Sequence, residues 1–125
     1  MVSISLLFTL NTIVGLVFSL GLLILPEQLI ALYGAPPSPA AVYVARLFGA
    51  LILGFITILW FSRNSAESEA RRAILMGGLV GWGVGLLVAL WGQFSGVVNN
   101  LGWLNVAIYF LFSLDFVFFL FVRKD

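Results

Sequence analysis

Four stretches of the chain read as almost unbroken apolar runs, and short polar or proline-rich stretches separate them. The runs cover residues 4–25, 41–61, 73–94 and 103–122, approximately. A helix rises 1.5 Å per residue, so about 20 apolar residues cross a hydrocarbon layer about 30 Å thick. Each run meets that length. Four segments are too few to close a β-barrel, and lipid cannot satisfy the polar groups of an open sheet edge. The pattern predicts an all-α, polytopic membrane protein: one transmembrane domain over residues 1–125, folded as an antiparallel bundle of four helices.

The polar interruptions set the predicted boundaries. Pro26 ends the first span and opens a short turn of helix through Tyr33, which Gly34 terminates. The apolar residues of that turn suit a helix lying in the membrane interface. Residues 35–39, with Pro36, Pro37 and Pro39, then read as stiff and non-helical. Between the second and third spans, Asn64 with Glu67 three residues on has the form of a capping box, and Glu67 with Arg71 that of an i,i+4 ion pair. The third helix is expected to start a turn or two before it enters lipid. The last connection, residues 95–102, is short and uncharged, as an antiparallel hairpin requires.

Composition sharpens the class. Of 125 residues, 62% are hydrophobic and 9% charged, against about a quarter charged in soluble domains. The absence of His and Cys removes the commonest ligands of zinc, haem iron and iron–sulfur clusters, and with them disulfides and thiol nucleophiles. No cofactor is expected. A net charge of +1 provides no field for nucleic acid. The positive charges are unevenly placed, with Arg63, Arg71 and Arg72 in the middle connection, Arg123 and Lys124 in the tail, and none in the other two connections. Positive residues accumulate on the cytoplasmic side, so both termini and the middle loop are expected to face the cytoplasm. The first run lacks a basic flank and a small-residue cleavage motif and reads as a retained helix.

Helices in lipid associate through small residues that let backbones approach. On the third span Ala73, Gly77, Gly81, Gly85 and Ala89 recur every four residues; the second span offers Ala45 with Gly49 and Ala50 with Gly54, and the first Gly15 with Ser19. These stripes either join the four helices to one another or, on the third span, form an interface to a second protein. Trp60, Trp91, Trp103, Tyr33 and Tyr43 fall at predicted interfaces, where amphipathic rings anchor helices. Trp82 lies deeper, and its indole N–H calls for a partner. Phe110, Phe112, Phe116, Phe118, Phe119 and Phe121 surround the fourth span.

Charged residues inside a span cost at least about 2.5–3.5 kcal/mol at mid-membrane and therefore need partners. Arg46 lies about a turn inside the second span, on a helical-wheel face with Ala50, Leu53, Thr57 and Trp60, predicted to point toward other helices. It either clamps the outer loop through Glu27 and nearby carbonyl groups, or pairs with Asp115 of the fourth span, bridged by Asn105, Tyr109 or water. Asn11 of the first span falls at the depth of Asp115, where Asn11 or Thr12 is placed to hydrogen-bond the carboxyl. A carboxyl at that depth is also a candidate proton acceptor in a transport cycle.

The order of these parts resembles the DoxX-like small bacterial four-helix membrane proteins: Pro26-Glu27, then Leu32-Tyr33-Gly34 and a proline-containing stretch, then the run from Ala45-Arg46 through Gly49 to Gly54, and Asp115 in the last span. The likeness extends over nearly the whole chain. It implies an accessory membrane subunit; relatives in that family include a small subunit of a thiosulfate:quinone oxidoreductase and a partner in a thiol-redox complex. No paired carboxylates, Ser-His or Cys-His arrangement or phosphate-cradling loop is visible, and an enzyme is not expected. The two functional expectations are a non-catalytic subunit of a larger membrane complex and a small oligomeric transporter using Asp115 and Arg46. The bilayer, a larger complex or further copies of the chain are the expected partners.

Overall fold

Where an apolar run can begin and stop as a helix depends on who satisfies its end groups, because the first four N–H and last four C=O groups have no partner within the helix. A computed structural model describes residues 3–122. It contains α1 (Ile4–Ile24), α2 (Pro26–Leu32), α3 (Pro39–Ser62), α4 (Glu69–Phe94) and α5 (Gly102–Phe121). All but α2 are long and apolar enough to cross a membrane. Arg123, Lys124 and Asp125, the charged tail used above to infer orientation, lie outside the described residues.

Two starts differ from expectation, and both follow from capping. α3 begins at Pro39, inside the stretch expected to be non-helical. Ser38 is its N-cap, accepting a hydrogen bond from the Ala41 N–H at 3.1 Å. Proline suits the first helical position because its missing N–H would have been unpaired there anyway. α4 is capped by Ser68, whose hydroxyl accepts from the Arg71 N–H at 3.2 Å, and the Asn64–Glu67 capping box does not form. Glu67 precedes the helix, so Glu67 and Arg71 are not an i,i+4 helical pair.

Two glycines close the connections. Gly34 (φ +83°) and Gly96 (φ +74°) adopt the left-handed conformation that costs other L-residues about 1–2 kcal/mol. After α2, Gly34 N–H donates to Ala31 O and Ala35 N–H to Ile30 O; after α4, Gly96 N–H donates to Gln93 O and Val97 N–H to Gly92 O. Both are Schellman caps, which satisfy the last carbonyls of a helix. Beyond the second cap, Gln93 Nε2 donates to Asn99 O at 3.1 Å, and Asn99 Oδ1 accepts from Leu101 N–H at 3.0 Å. These bonds fold residues 95–101 into the expected tight, uncharged turn.

The chain divides into two compact units, one of Ser5–Arg63 and the other built on Asn64–Asp125 together with Met1–Ile4. In the first unit α1 and α3 pack antiparallel. Gly15 lies against Ile56 and Ile52, and toward the other end Gly49 lies against Ser19, Leu22 and Leu23. In the second, α4 and α5 pack antiparallel in an even register, Arg72 near Leu120, Gly78 on Phe116 and Gly85 on Tyr109. Apolar side chains remain exposed all along the helices, among them Leu51 (75%), Phe61 (82%) and Phe94 (77%).

Ser68→Ala is expected to cost about 1 kcal/mol, whereas Glu67→Ala stays within about 0.5 kcal/mol. Unfolding of the detergent-solubilised chain followed by helical circular dichroism separates the two.

Candidate functional site

On α4, residues 78, 82 and 85 share one helical stripe, and this stripe receives α5. A side chain on Gly78 would collide with the Phe116 ring and one on Gly85 with the Tyr109 ring. The bare backbone at both points lets an aromatic ring lie against the helix. Between them Trp82 meets Tyr109 edge-on, at 4.8 Å between centroids and 67° between planes, and Phe112 at 4.8 Å and 31°. Aromatic pairs in such geometries contribute about 0.5–1.5 kcal/mol beyond their buried area. Phe112, Phe116, Phe119 and Leu120 are buried along one side of α5 while Phe110, Phe118 and Phe121 stay exposed. The phenylalanines expected around the whole circumference thus fall into an inward and an outward set.

The small-residue stripe predicted on this helix is divided by that docking. Gly85 packs on α5, but Gly77 and Gly81 are exposed, with nothing within 4 Å of where a side chain would begin. The contact is turned by about one residue from the predicted stripe because Trp82, next to Gly81, needs ring partners. Gly78 was missed; its spacing to Trp82 and Gly85 is the readable signal.

In the other unit, Gly49 lies against Ser19, Leu22 and Leu23 and makes a polar contact as well. Its carbonyl accepts a hydrogen bond at 3.1 Å from the Ser19 hydroxyl, which is fully buried. Gly54 has open space around it. The inward face of α3 is Ala45, Gly49, Ile56 and Leu59; Arg46, Ala50, Leu53, Thr57 and Trp60, predicted to face inward, are exposed. The packing is decided instead by the small residues at 45 and 49 that let α1 approach. Arg46 lies beside the end of α1, its Nε–H directed at Leu23 O at 3.4 Å. Glu27 is exposed, and its carboxylate is not the group that receives Arg46. The guanidinium meets a carbonyl at the end of a helix, where a cation is favoured by the helix dipole.

The remaining polar positions are distributed rather than gathered. Asn11 is buried in α1 (1% exposed). It lies some twelve residues before Leu23, on the order of 18 Å along the helix from Arg46's contact. Thr12 donates its hydroxyl to Phe8 O at 2.8 Å, so that proton is used within α1. On α5, Asn105, Tyr109 and Asp115 are half-buried, and Ser113 donates to Tyr109 O at 2.7 Å. Among the described residues no hydrogen bond to the Asp115 carboxylate is formed within its own unit. At the end of α3, Arg63 lies 3.7 Å above the Trp60 ring and donates to Trp60 O at 2.6 Å, a cation–π contact beside an aromatic expected at the interface.

Arginines at the start of α4 do more than mark a polar loop. Arg71 is 8% exposed and donates through Nη1 to Ser65 O at 3.0 Å; Arg72 Nη1 reaches Leu120 O at 3.5 Å. Counting them only as charge gave no sign of this. Gln93 was also passed over, although an amide in the last turn of an apolar span marks a turn that needs tying.

Because α5 covers Gly85 but not Gly81, Gly85→Val should displace Tyr109 and destabilise the α4–α5 pair by about 1–3 kcal/mol, while Gly81→Val in the isolated chain is tolerated. Equal losses in a thermal unfolding assay would contradict this docking.

No curated protein and no solved structure matches the chain. One family profile covers residues 2–123, nearly its full length, and the chain therefore belongs to the family described as a domain of unknown function (DUF8292).

Proposed function

We propose that the chain is a multi-pass protein of a bacterial cytoplasmic membrane, with both termini on the cytoplasmic side and its four long helices gathered in one bundle, acting as a non-catalytic accessory subunit of a larger membrane complex. The observation that carries the reading is the open face of α4. Lipid tails accommodate an exposed leucine as well as another helix does, so the many exposed apolar residues call for nothing beyond a bilayer. Glycine is different. Within a helix it costs about 1 kcal/mol relative to alanine, and among the described residues of the α4–α5 unit nothing lies within 4 Å of where a side chain would begin at Gly77 or Gly81. Val80, Val84 and Val88 are exposed alongside. A second membrane helix can approach that backbone closely and recover the cost. The DoxX-like order of parts supports the same role.

A transporter reading is favoured by one observation, the half-buried Asp115 within a helix long enough to span, since carboxylates at such positions commonly serve proton or ion pathways. The two readings separate experimentally. For an accessory subunit, Gly81→Leu releases a larger partner that co-purifies with the wild type in mild detergent, and Asp115→Asn leaves it bound. For a transporter, Asp115→Asn abolishes flux in reconstituted vesicles and assembly survives. A monomer alone, in mild detergent and native membrane alike, excludes both.

The orientation is testable because the natural chain has no cysteine. Single substitutions Ser65→Cys and Val97→Cys should react with an impermeant thiol reagent from opposite sides of the membrane, Val97→Cys from outside. Labelling of both from one side overturns the topology.

A further inference from the structure

Between Glu27 and Arg63 the sequence holds a single charged residue, Arg46. It is exposed on α3, seven positions after Pro39, which places it about 10 Å along the helix. When α3 spans a bilayer, that depth lies below the hydrocarbon surface, where an unmatched charge is costly. A long side chain extended along the helix still brings its charge to the headgroups, so what receives Arg46 there is set by the donors it has left.

A guanidinium carries five N–H donors in a planar fork. Nε–H of Arg46 is directed at Leu23 O, and among the described residues neither Nη group has a hydrogen bond or ion pair. The contact at Nε orients the fork in advance, which lowers the entropy lost when its other edge is engaged. Tyr43, one turn nearer the end of α3, lies on the same side of the helix. It is 65% exposed, and its phenolic O–H is a second donor. A phosphate, with several oxygens about a single centre, matches an arginine fork and a neighbouring hydroxyl. Toward the middle of the span the same side presents Ala50, Leu53, Gly54 and Thr57, all exposed. Within this unit nothing lies within 4 Å of where a side chain would begin at Gly54. Thr57 spends its hydroxyl proton on Leu53 O at 2.7 Å. The strip below Arg46 is therefore apolar and shallow at its two small residues, a path that an acyl chain can follow. The one acidic residue of the unit, Glu27, lies on α2, so this side of α3 has no carboxylate of its own to receive an ammonium group.

We propose that this side of α3 binds a phospholipid of net negative charge, of the phosphatidylglycerol class. The phosphate is held by the Nη groups of Arg46 and the hydroxyl of Tyr43, and one acyl chain lies along Ala50, Gly54 and Thr57. The inference rests on the membrane-spanning reading above and is independent of what α4 meets.

The test uses the full-length chain in phosphatidylcholine nanodiscs doped with phosphatidylglycerol, phosphatidylethanolamine or phosphatidylcholine carrying a diazirine in one acyl chain, with cross-linked peptides mapped by mass spectrometry. The glycerol lipid should label α3 between Leu47 and Thr57 about tenfold more than the other two, the factor expected for one charge-assisted hydrogen bond. Arg46→Gln should remove that preference, and Arg46→Lys, which keeps the charge, should retain part of it. Tyr43→Phe alters an exposed position away from the Leu23 contact and should lower the preference about threefold, which keeps the site testable if the Arg46 variants misfold. Gly54→Leu, which fills the shallow strip, should reduce labelling with both donors intact. Equal labelling by the choline lipid, or a preference that survives Arg46→Gln, overturns the proposal. Displacement of the lipid by excess glycerol phosphate in solution also overturns it, since the site would then serve a soluble anion. So does an absence of labelling on α3 in native membranes, which would put a protein helix there instead. Extraction of the chain by alkaline carbonate refutes the membrane reading, whereas a chain retained in the membrane that labels without lipid preference refutes this site alone.

Discussion

Close approach to bare backbone is the constraint on which each helical pair depends. Where acyl chains replace water, a leucine gains little by leaving lipid for a neighbouring helix, and association rests on packing and hydrogen bonds. In one unit the approach is made at Gly15 and Gly49, and the nearness of α1 to Gly49 lets the Ser19 hydroxyl reach a main-chain carbonyl. In the other it is made at Gly78 and Gly85, each covered by a ring from α5. Trp82 fits between those two points because the glycines on either side place Tyr109 and Phe112 within reach of its indole. A larger residue at any of these positions alters the distance between two helices, not one contact.

Helix number, type and approximate limits were legible from the apolar runs because twenty consecutive apolar residues have few alternatives. Boundaries were legible only in part. Pro39 breaks a helix from inside but starts one from its first position, and which of these applies is decided by the serine before it. At the start of α4 two capping signals overlapped, and Ser68 prevailed over Asn64 and Glu67. Periodicity identified glycines but not which of them would be covered, since Gly81 and Gly85 fall on the same four-residue repeat and their neighbours on α5 belong to a distant part of the sequence.

Charged residues were the least legible. Arg46 was placed on the face expected to meet other helices, yet that face is exposed and Arg46 meets a main-chain carbonyl at the end of α1, Leu23 O. Arg72 shows the same behaviour with Leu120 O at the end of α5, and Arg71 meets the Ser65 carbonyl of the connection before α4. Helix ends carry unsatisfied carbonyl groups in fixed positions, and in a chain with few charges they serve as acceptors that sequence spacing cannot place.

The two partners of the second hairpin differ in length. α4 has 26 residues and α5 has 20, and the even register between them aligns the end of α5 with the first turn of α4, while their other ends meet at Gln93 and Gly102. At 1.5 Å per residue the longer rod rises about 39 Å and the shorter about 30 Å, so only α5 matches the hydrocarbon layer without excess. A bilayer thickened by a few ångströms would therefore strain α5 first, and α4 would absorb the change by tilting less. In the membrane-spanning reading proposed above, lipid thickness acting through this inequality changes the angle at which Gly77 and Gly81 of α4 are presented.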